Sequence, residues 1–391
     1  MRDHYITRIQ NKLILYGAWF FSLAMCFMSP IIGLTLSLLA FILSNTTKYI
    51  YLISPALSFS IFLSLINSQK MIEGDLIAYL SYFKNLEYLS LGEVFLQYIT
   101  EPFFYMLAWF LGNIFSFSDL VFKFSFSFIG YFALLFSVQK IMIDFEYAAN
   151  KIFIGILLVA LSTVIFSNSL HLVRQFVSLG FFMVAISANR VSSRNLFFLI
   201  SAMLHISSFI LIALYVLARS KNMGKFIFAF GLFSYEKIVT SIVPIAISLG
   251  IAPLAYFGLR ISAESFHEMP GISIFSFFFI IATAFYIFLV RMLESMDANE
   301  SLSIKAKNKI LNFYDFNIYL GLLVLFIQFA LEANEPASRM MVGYVLFTMI
   351  SVGFSLKFIK LQPFSAWVLS LVLVTFYVLN IFNGTWSYAN I

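Results

Sequence analysis

Charged residues are scarce in this sequence, and that scarcity excludes most soluble classes of protein. Only 11% of the 391 residues are charged and 62% are hydrophobic, whereas an average soluble domain has about 25% charged and about 45–50% apolar residues. The mean hydropathy is +0.96. A water-soluble chain of this length could not bury so much apolar surface. A soluble enzyme, a nucleic-acid-binding protein and a secreted disulfide scaffold are therefore excluded, and the sequence predicts a polytopic membrane protein.

Several chemical signatures are also missing. Cys26 is the only cysteine, so no intrachain disulfide and no thiolate-rich metal site can form. There is no phosphate-binding G-x-x-x-x-G-K-[ST] loop, no Rossmann glycine pattern and no D-x-D pair. The four histidines, His4, His171, His205 and His267, are far apart and lack H-E-x-x-H spacing. The sequence therefore predicts neither a metal nor a cofactor, and no nucleic-acid partner.

Long apolar runs dominate what is present. A membrane-spanning helix needs about 20 mostly apolar residues. Apolar runs separated by charged residues lie at 13–29, 31–45, 49–67, 103–117, 120–138, 152–170, 172–188, 195–218, 238–258, 272–290, 310–331, 341–356 and 363–382. They predict an all-α fold of about 11–13 membrane-embedded helices. All of 1–391 is assigned to one transmembrane domain without a soluble domain, and 68–101 is an amphipathic loop.

The basic residues predict the orientation. Positive charge is retained on the cytoplasmic side of a membrane, and placing the N-terminus inside leaves only six of the 24 Lys and Arg residues outside: Lys70, Lys84, Lys123, Arg174, Arg260 and Arg339. The inner face is then strongly positive and the outer face net negative. This orientation predicts a cytoplasmic N-terminus and a C-terminus on the outer side.

Two runs do not fit simple alternation of spans. Basic clusters flank 195–218 on both sides, so one spanning helix would place a cluster outside. A hairpin that turns at His205-Ile206-Ser207-Ser208 would keep both inside, although a single span remains an alternative. Non-helical backbone at membrane depth requires protein or a wet cavity around it, so such a turn would face a site. The run 103–117 is short and either spans at a tilt or re-enters.

The first candidate site residues lie in the loop 68–101. Asp75, Tyr79 and Phe83 are spaced by four and would line one face of an amphipathic helix lying along the membrane. Asp75 is either a helix N-cap, a carboxylate that binds a sugar hydroxyl, or a general base. Glu101 ends the loop, and Pro102 begins the next helix. The Glu101 charge could therefore have a structural role alone, in which it complements the dipole at the start of that helix.

The second and third groups contain histidine. His171 and Arg174 are three residues apart and are predicted to share a helix face. Arg174 on the outer side breaks the orientation rule, so it forms either a structural ion pair or an anion-binding site, for which the planar guanidinium is suited. His205, at the proposed turn, is either a hydrogen-bonded core residue or a group that transfers a proton or contacts a phosphate.

The fourth group lies late in the chain. Arg339 is again on the outer side, and Glu332 and Glu335 are close enough in sequence to pair with it. Asp315 lies inside a predicted span, where a transporter would use it. A less specific outer loop contains Arg260, Glu264, His267 and Glu268.

Taken together, the four groups describe an outward-facing cavity with arginines, histidines and carboxylates. Such a cavity suits a sugar linked to a lipid diphosphate. Arginine would neutralise the diphosphate leaving group, and a carboxylate or histidine would accept the proton of an attacking hydroxyl.

At these residues the sequence resembles the EpsG/Wzy-like family of bacterial O-antigen and exopolysaccharide polymerases. The matching pieces are Gly74-Asp75 with Tyr79, Glu101-Pro102, Arg174-Gln175, Asn189-Arg190 with Arg194, His205-Ile206-Ser207-Ser208, and Arg339 with Tyr344. The resemblance extends over about 65–350. The large second periplasmic loop of some relatives is missing, which leaves 68–101 as the main outer lid.

The resemblance implies a lipid-dependent glycosyltransferase of GT-C-like architecture in the bacterial inner membrane. Its substrate would be undecaprenyl-diphosphate-linked glycan, its site would face the periplasm, and a chain-length regulator is an expected partner besides the lipid bilayer. A flippase for lipid-linked oligosaccharide and a ligase-type transferase are the alternatives. A flippase should show two similar halves and ionisable residues near mid-membrane, and the sequence shows neither clearly.

The resemblance also implies roles for individual residues. Asp75, His205 and Arg174 would be catalytic. Arg174, Arg339 and His171 would bind the diphosphate. Tyr79, Glu101 and Glu335 would bind sugar, although Glu335 could instead serve only as a partner of Arg339.

Overall fold

The computed structural model of the chain describes residues 49–147, 149–233 and 304–355, together with some positions between 17 and 37, position 248 and some positions between 280 and 287. A short 3-10 helix spans Leu86–Tyr88. The described α-helices are α1 Tyr49–Ser68, α2 Asp75–Asn85, α3 Leu91–Gln97, α4 Pro102–Phe115, α5 Asp119–Asp144, α6 Ala149–Ala160, α7 Thr163–Asn168, α8 Val173–Ser187, α9 Val191–Leu204, α10 Ser208–Arg219, α11 Lys221–Phe233, α12 Ile304–Phe329 and α13 Asn334–Ser355.

The chain is an all-α polytopic membrane protein, as the sequence predicts. In the part that the structure describes, three helices are long and apolar enough to cross a membrane: α5, α12 from Asn308, and α13. Six further apolar helices of that part are shorter. The total of 11–13 helices, the GT-C-like architecture and the single domain over 1–391 stay predictions.

Where the structure describes the chain, most apolar runs correspond to helices, but two regions differ from the sequence prediction. The run 152–170 is wrong as a continuous helix, because α6 ends at Ala160 and α7 begins at Thr163. Ser162 caps α7 by accepting a hydrogen bond from the Ile165 amide at 3.5 Å, which stabilises a new helix start at that point. The segment Lys221–Phe233, which no predicted apolar run covers, forms α11.

The loop 68–101 is largely helical. Its helix α2 buries Leu76, Tyr79, Leu80 and Phe83, which recur at the three- and four-residue spacing of one helix face. A capping box starts α3: Ser90 donates from its amide and its hydroxyl to Glu93 Oε2, both at 2.7 Å. The predicted helix is present as α2, and its position along the membrane on the periplasmic side stays a prediction.

The chain forms two compact units. The first comprises residues 1–97, 102–204 and 356–391, and the second comprises residues 98–101 and 205–355. The candidate residues divide between them, with Asp75, Tyr79, His171 and Arg174 in the first unit. Glu101, His205, Glu335 and Arg339 belong to the second.

In the first unit, α5 and α8 cross at very close range. A Cβ atom built on Gly180 would lie 2.9 Å from the Gly130 carbonyl oxygen and 3.1 Å from the Ala133 Cβ. Small residues allow two helix backbones to approach in this way. The buried Asn67 of α1 ties the same unit together, since its amide donates to Ser127 at 3.0 Å and to Ser169 at 2.9 Å.

In the second unit, α12 and α13 pack through aromatic side chains. Phe313 and Phe316 of α12 both contact Phe347 of α13, with ring centroids 5.9 and 5.1 Å apart. Tyr344, which the resemblance singled out, is fully buried, and its hydroxyl donates to the Ile280 carbonyl at 3.2 Å. Its position indicates a packing role.

Several sequence predictions lie outside the described residues. They are the run 363–382, both chain termini and their orientation, and the outer-loop group of Arg260, Glu264, His267 and Glu268. Apart from a few positions, the runs 13–29, 31–45, 238–258 and 272–290 also lie outside them.

Candidate functional site

Arg174 and Tyr79 form a direct contact in the first unit. Arg174 lies in the first turn of α8, and its Nε donates to the Tyr79 hydroxyl at 3.2 Å. The guanidinium carbon also lies 5.1 Å from the centroid of the Tyr79 ring, within the range of a cation–π interaction. Tyr79 is buried on the inner face of α2. Two residues from separate predicted groups are thus in contact, and the tyrosine restrains the arginine.

His171 lies in the turn before α8 and not on the helix, so the prediction that it shares a helix face with Arg174 is wrong. The loop before α2 comes close to it. Gly74 has φ +54°, and a Cβ atom there would lie 3.6 Å from His171 Nδ1. A positive φ suits glycine because it has no Cβ. The sharp turn at Gly74 therefore sets the position of the loop relative to the imidazole.

The charges around His171 have opposing effects. Burial lowers the pKa of His171, and the positive charge of Lys70 lowers it further. The carboxylates of Asp75 and Glu73 act in the opposite direction. Asp75 is exposed and is the first residue of α2, with Gly74 at the N-cap position. The N-cap interpretation of Asp75 is therefore wrong, and its carboxylate belongs to the electrostatic surroundings of His171.

Lys70 is a buried cation that sequence reasoning did not single out. Only 3% of its surface is exposed, and burial lowers its pKa to about 7. Its Nζ donates to the Phe166 carbonyl and lies 3.9 Å from the centroid of the Phe166 ring. Lys123 is also buried, and its Nζ donates to the Lys70 carbonyl at 3.0 Å. In the sequence, Lys70 and Lys123 are distinguished only as two of the six cations assigned to the outer side.

Glu101 and His205 form an ion pair in the second unit. The His205 Nδ1 lies 2.5 Å from Glu101 Oε1, and the side chains are 15% and 5% exposed. The same carboxylate oxygen accepts the Ile206 amide at 3.4 Å. Such a carboxylate orients an imidazole and favours the tautomer with hydrogen on Nδ1, which leaves Nε2 as a proton acceptor.

The helix break predicted around His205 is present. The helix α9 ends at Leu204 and α10 begins at Ser208. The Glu101 carboxylate satisfies the backbone amide that the break leaves without a helical partner. Glu101 immediately precedes α4, whose first residue is Pro102, as predicted. Whether the chain reverses as a hairpin at this break stays a prediction.

Arg339 and Glu335 pair within α13. The Arg339 Nη2 lies 2.5 Å from Glu335 Oε1, and the glutamate side chain is 9% exposed. The two residues are four apart in the first turns of the helix, where their side chains are neighbours. This contact matches the interpretation of Glu335 as a partner of Arg339.

The remaining polar positions do not add a metal centre. Among the described residues, no three His, Cys, Asp or Glu side chains are placed to hold a metal ion. Asp315 is buried within α12, two residues before Asn317, whose side-chain amide donates to the Thr348 hydroxyl at 3.2 Å.

The structure thus brings the sequence-predicted site residues together in pairs. Tyr79 contacts Arg174, Asp75 acts electrostatically on His171, Glu101 contacts His205, and Glu335 contacts Arg339. Each pairing changes the chemistry that its members can perform.

Comparison with known proteins identifies the family. A family model described as the EpsG family matches residues 55–390, which is most of the chain. The chain therefore belongs to the EpsG family, and the resemblance found in its motifs is confirmed. Comparison with curated proteins and with solved structures finds no match.

Proposed function

We propose that this EpsG-family chain is a polymerase that joins undecaprenyl-diphosphate-linked oligosaccharide units into O-antigen or exopolysaccharide. Membership of the family suggests a polysaccharide-polymerase-like membrane protein. The proposal places the reaction at the periplasmic face of the inner membrane and needs neither a metal nor a nucleotide, because a diphosphate-linked sugar is already activated. A chain-length regulator is the expected protein partner.

The pair of Glu101 and His205 carries the proposal. A buried carboxylate on Nδ1 leaves Nε2 to accept a proton and stabilises the imidazolium that forms. The 2.5 Å contact and the low exposure of both side chains are what a positioned general base requires. Asp75 is exposed, whereas the His205 and Glu101 side chains are mostly buried together, so we assign the base to His205 and the orientation of the acceptor sugar to Asp75.

The proposed step transfers one glycan chain. His205 Nε2 accepts the proton of an acceptor hydroxyl as its oxygen attacks the anomeric carbon of the donor. The new carbon–oxygen bond forms while the bond from that carbon to the diphosphate breaks. Undecaprenyl diphosphate departs with the electron pair, and the imidazolium later returns its proton to water.

The departing diphosphate needs positive charge. Arg174 is held by Tyr79 through Nε and through its ring, and a pre-oriented guanidinium stabilises developing negative charge without reorganisation. We assign diphosphate binding to Arg174, Arg339 and His171. The pairings support positioning roles for Tyr79, Glu101 and Glu335 in place of the sugar contacts that the family resemblance implied.

Surface glycan provides the test in a strain that depends on this gene. Deletion should reduce the glycan ladder on a gel to a single repeat unit, and the intact gene should restore the ladder. His205→Gln and Glu101→Gln should both fail to restore it, because loss of a general base costs about 10²–10⁴-fold in rate. Total loss of glycan after deletion would indicate a flippase or a ligase, and an unchanged ladder would exclude all three functions.

The matched control is Glu87→Gln, which changes an exposed glutamate of the 3-10 helix. It should restore the full ladder. Protein abundance in the membrane fraction must equal that of the wild type for each variant. A His205→Gln chain that is present at normal abundance and still makes long glycan would contradict the assignment of the base.

A further inference from the structure

Two lysines of the first unit are buried in a way that their packing does not explain. Lys70 is 3% exposed and Lys123 is 8% exposed. Each ammonium contacts a backbone carbonyl: Lys70 that of Phe166, and Lys123 that of Lys70. Lysine is almost never buried without a charged partner, so this arrangement calls for a source of negative charge.

No carboxylate supplies that charge in the part of the chain that the structure describes. Neither lysine has an acidic side chain within ion-pair distance there. Asp119 acts on Lys123 only electrostatically, and it pairs with Lys84 at 2.8 Å. Removing an ammonium from water without such a partner is costly.

A purely structural role for Lys70 is also poorly supported. The Phe166 carbonyl that it contacts already accepts the Ser169 hydroxyl at 2.9 Å. That carbonyl would therefore remain satisfied if the lysine left it. The four-carbon stem of lysine is flexible and its ammonium has three donors, so Lys70 can turn toward a ligand without exposing an unpaired acceptor.

The residues that follow Lys70 in sequence are exposed. Met71, Ile72, Glu73, Gly74 and Asp75 are all exposed and follow it directly. His171 adds a third nitrogen group, and it lies near enough for the charge of Lys70 to act on it. The Lys70 cluster, defined as Lys70, Lys123 and His171, therefore combines positive charge with an exposed chain segment, 71–75, directly beside it in sequence.

We propose that the Lys70 cluster is a phosphate-binding site that holds one phosphate of a polyprenyl diphosphate. The inference rests on the proposed function, and it adds Lys70 and Lys123 to the groups assigned there. The phosphate supplies the negative charge that the two ammonium groups lack. Glu73 and Asp75, in the exposed segment 71–75, repel the anion and favour its later departure.

Binding is accordingly coupled to protonation. Burial lowers the pKa of Lys70 to about 7, and a bound phosphate raises that pKa again because opposite charge favours the protonated amine. Binding therefore takes up protons near neutral pH, and affinity falls as the pH rises above 7. Protonation of His171 also favours anion binding, at lower pH. The charges of Lys123, Glu73 and Asp75 contribute to the electrostatic potential at these groups.

Titration of the purified full-length chain in detergent tests the site. The probes are inorganic pyrophosphate and farnesyl diphosphate, and isothermal calorimetry in two buffers of different ionisation enthalpy reports affinity and proton uptake. Lys70→Met, which keeps length and removes charge, should weaken both probes at least tenfold, as expected for a charge-assisted hydrogen bond. Lys84→Met, at an exposed lysine of α2, should bind like the wild type.

The stability of the ligand-free variant separates a ligand site from a structural one. Without ligand, Lys70→Met should unfold at a temperature equal to or above that of the wild type, because an uncompensated buried charge is removed. A lower melting temperature together with unchanged pyrophosphate affinity would overturn the proposal. Lys123→Met provides the same comparison if Lys70→Met does not fold.

A competition experiment distinguishes a polyprenyl diphosphate from a phospholipid headgroup as the source of the bound phosphate. Phosphatidylglycerol in mixed micelles should not displace farnesyl diphosphate, and displacement at equal concentration would overturn the assignment to a polyprenyl diphosphate. The outcome is also distinct from that of the proposed function. If the purified chain binds pyrophosphate through Lys70 but deletion of its gene leaves the glycan ladder unchanged, only the polymerase is refuted. If deletion shortens the ladder as expected but Lys70→Met binds pyrophosphate and makes glycan like the wild type, only this site is refuted.

Discussion

The guanidinium of Arg174 is held by Tyr79, which accepts a hydrogen bond from Nε at 3.2 Å and places its ring 5.1 Å from the guanidinium carbon. The two residues are 95 positions apart in the chain. Because Nε is engaged, the guanidinium has a fixed orientation before any ligand arrives. Pre-orientation of this kind lowers the entropic cost of binding an anion.

This relationship predicts a graded response at Tyr79. Tyr79→Phe removes the hydrogen bond and keeps the ring, so glycan polymerisation should fall by about tenfold, the lower range for a hydrogen bond to a charged group. Tyr79→Leu removes both contacts and should lower glycan polymerisation further. The measurement is the modal glycan length and the polymerisation rate in membranes. Tyr82→Phe, at an exposed position of the same helix, is the control, and equal activity of Tyr79→Leu and wild type would contradict the role.

The pair of Glu335 and Arg339 predicts energetic coupling. Arg339→Gln leaves the buried Glu335 carboxylate without this partner, which should lower the free energy of unfolding by about 1–3 kcal/mol. Glu335→Gln with Arg339→Gln should cost less than the sum of the single changes, since neighbouring partners are not additive. Thermal unfolding of the four forms in detergent measures this difference. Additive effects would show that Glu335 does not act through Arg339.

The buried Lys70 predicts a pH dependence of stability. Its pKa falls from 10.5 to about 7 in the folded chain, so the unfolded chain binds more protons between those values. Stability must therefore rise as the pH increases from about 7 toward 10. The melting temperature should follow this trend in the wild type and in Lys84→Met, and the trend should be weaker in Lys70→Met. An identical slope in all three would contradict the burial of an unpaired ammonium.

The close crossing of α5 and α8 predicts that a glycine-to-alanine substitution is destabilising there, in contrast to the same substitution at an uncrowded glycine elsewhere. Gly180→Ala places a Cβ atom 2.9 Å from the Gly130 carbonyl oxygen, and such overpacking should cost about 1–3 kcal/mol of stability. Gly231→Ala in α11 meets nothing within 4 Å and should stabilise by up to about 1 kcal/mol through helix propensity. Melting temperatures of the two variants check the signs. A stabilising Gly180→Ala would show that the helices can separate without loss.

Helices and their ends were largely predictable because the signals are local. The apolar run 49–67 corresponds to α1 and the run 172–188 to α8. The break at His205 followed from basic clusters on both sides of one apolar run, and Pro102 marked the start of α4. The break at Leu161-Ser162 was missed because both residues lie within an apolar run and the cap depends on a single hydroxyl.

The partners of the site residues were not predictable in the same way. Glu101 was read as a sugar ligand or a helix-end charge, and its contact with His205 joins positions 104 residues apart. His171 was placed on a helix face from a spacing of three, yet the helix begins two residues later. Spacing along the chain describes neighbours on one helix and carries no information on which helices meet.

Sequence alone determined the membrane environment, the all-α class and the family, since each depends on composition or on short motifs that local chemistry preserves. It also indicated which ionisable residues are costly enough to require an explanation. Only the tertiary structure decided that Glu101 belongs to His205, that Tyr79 holds Arg174 and that Lys70 is buried. These contacts arise from the packing of helices that are distant in sequence, and packing depends on the shapes of all the side chains that meet there.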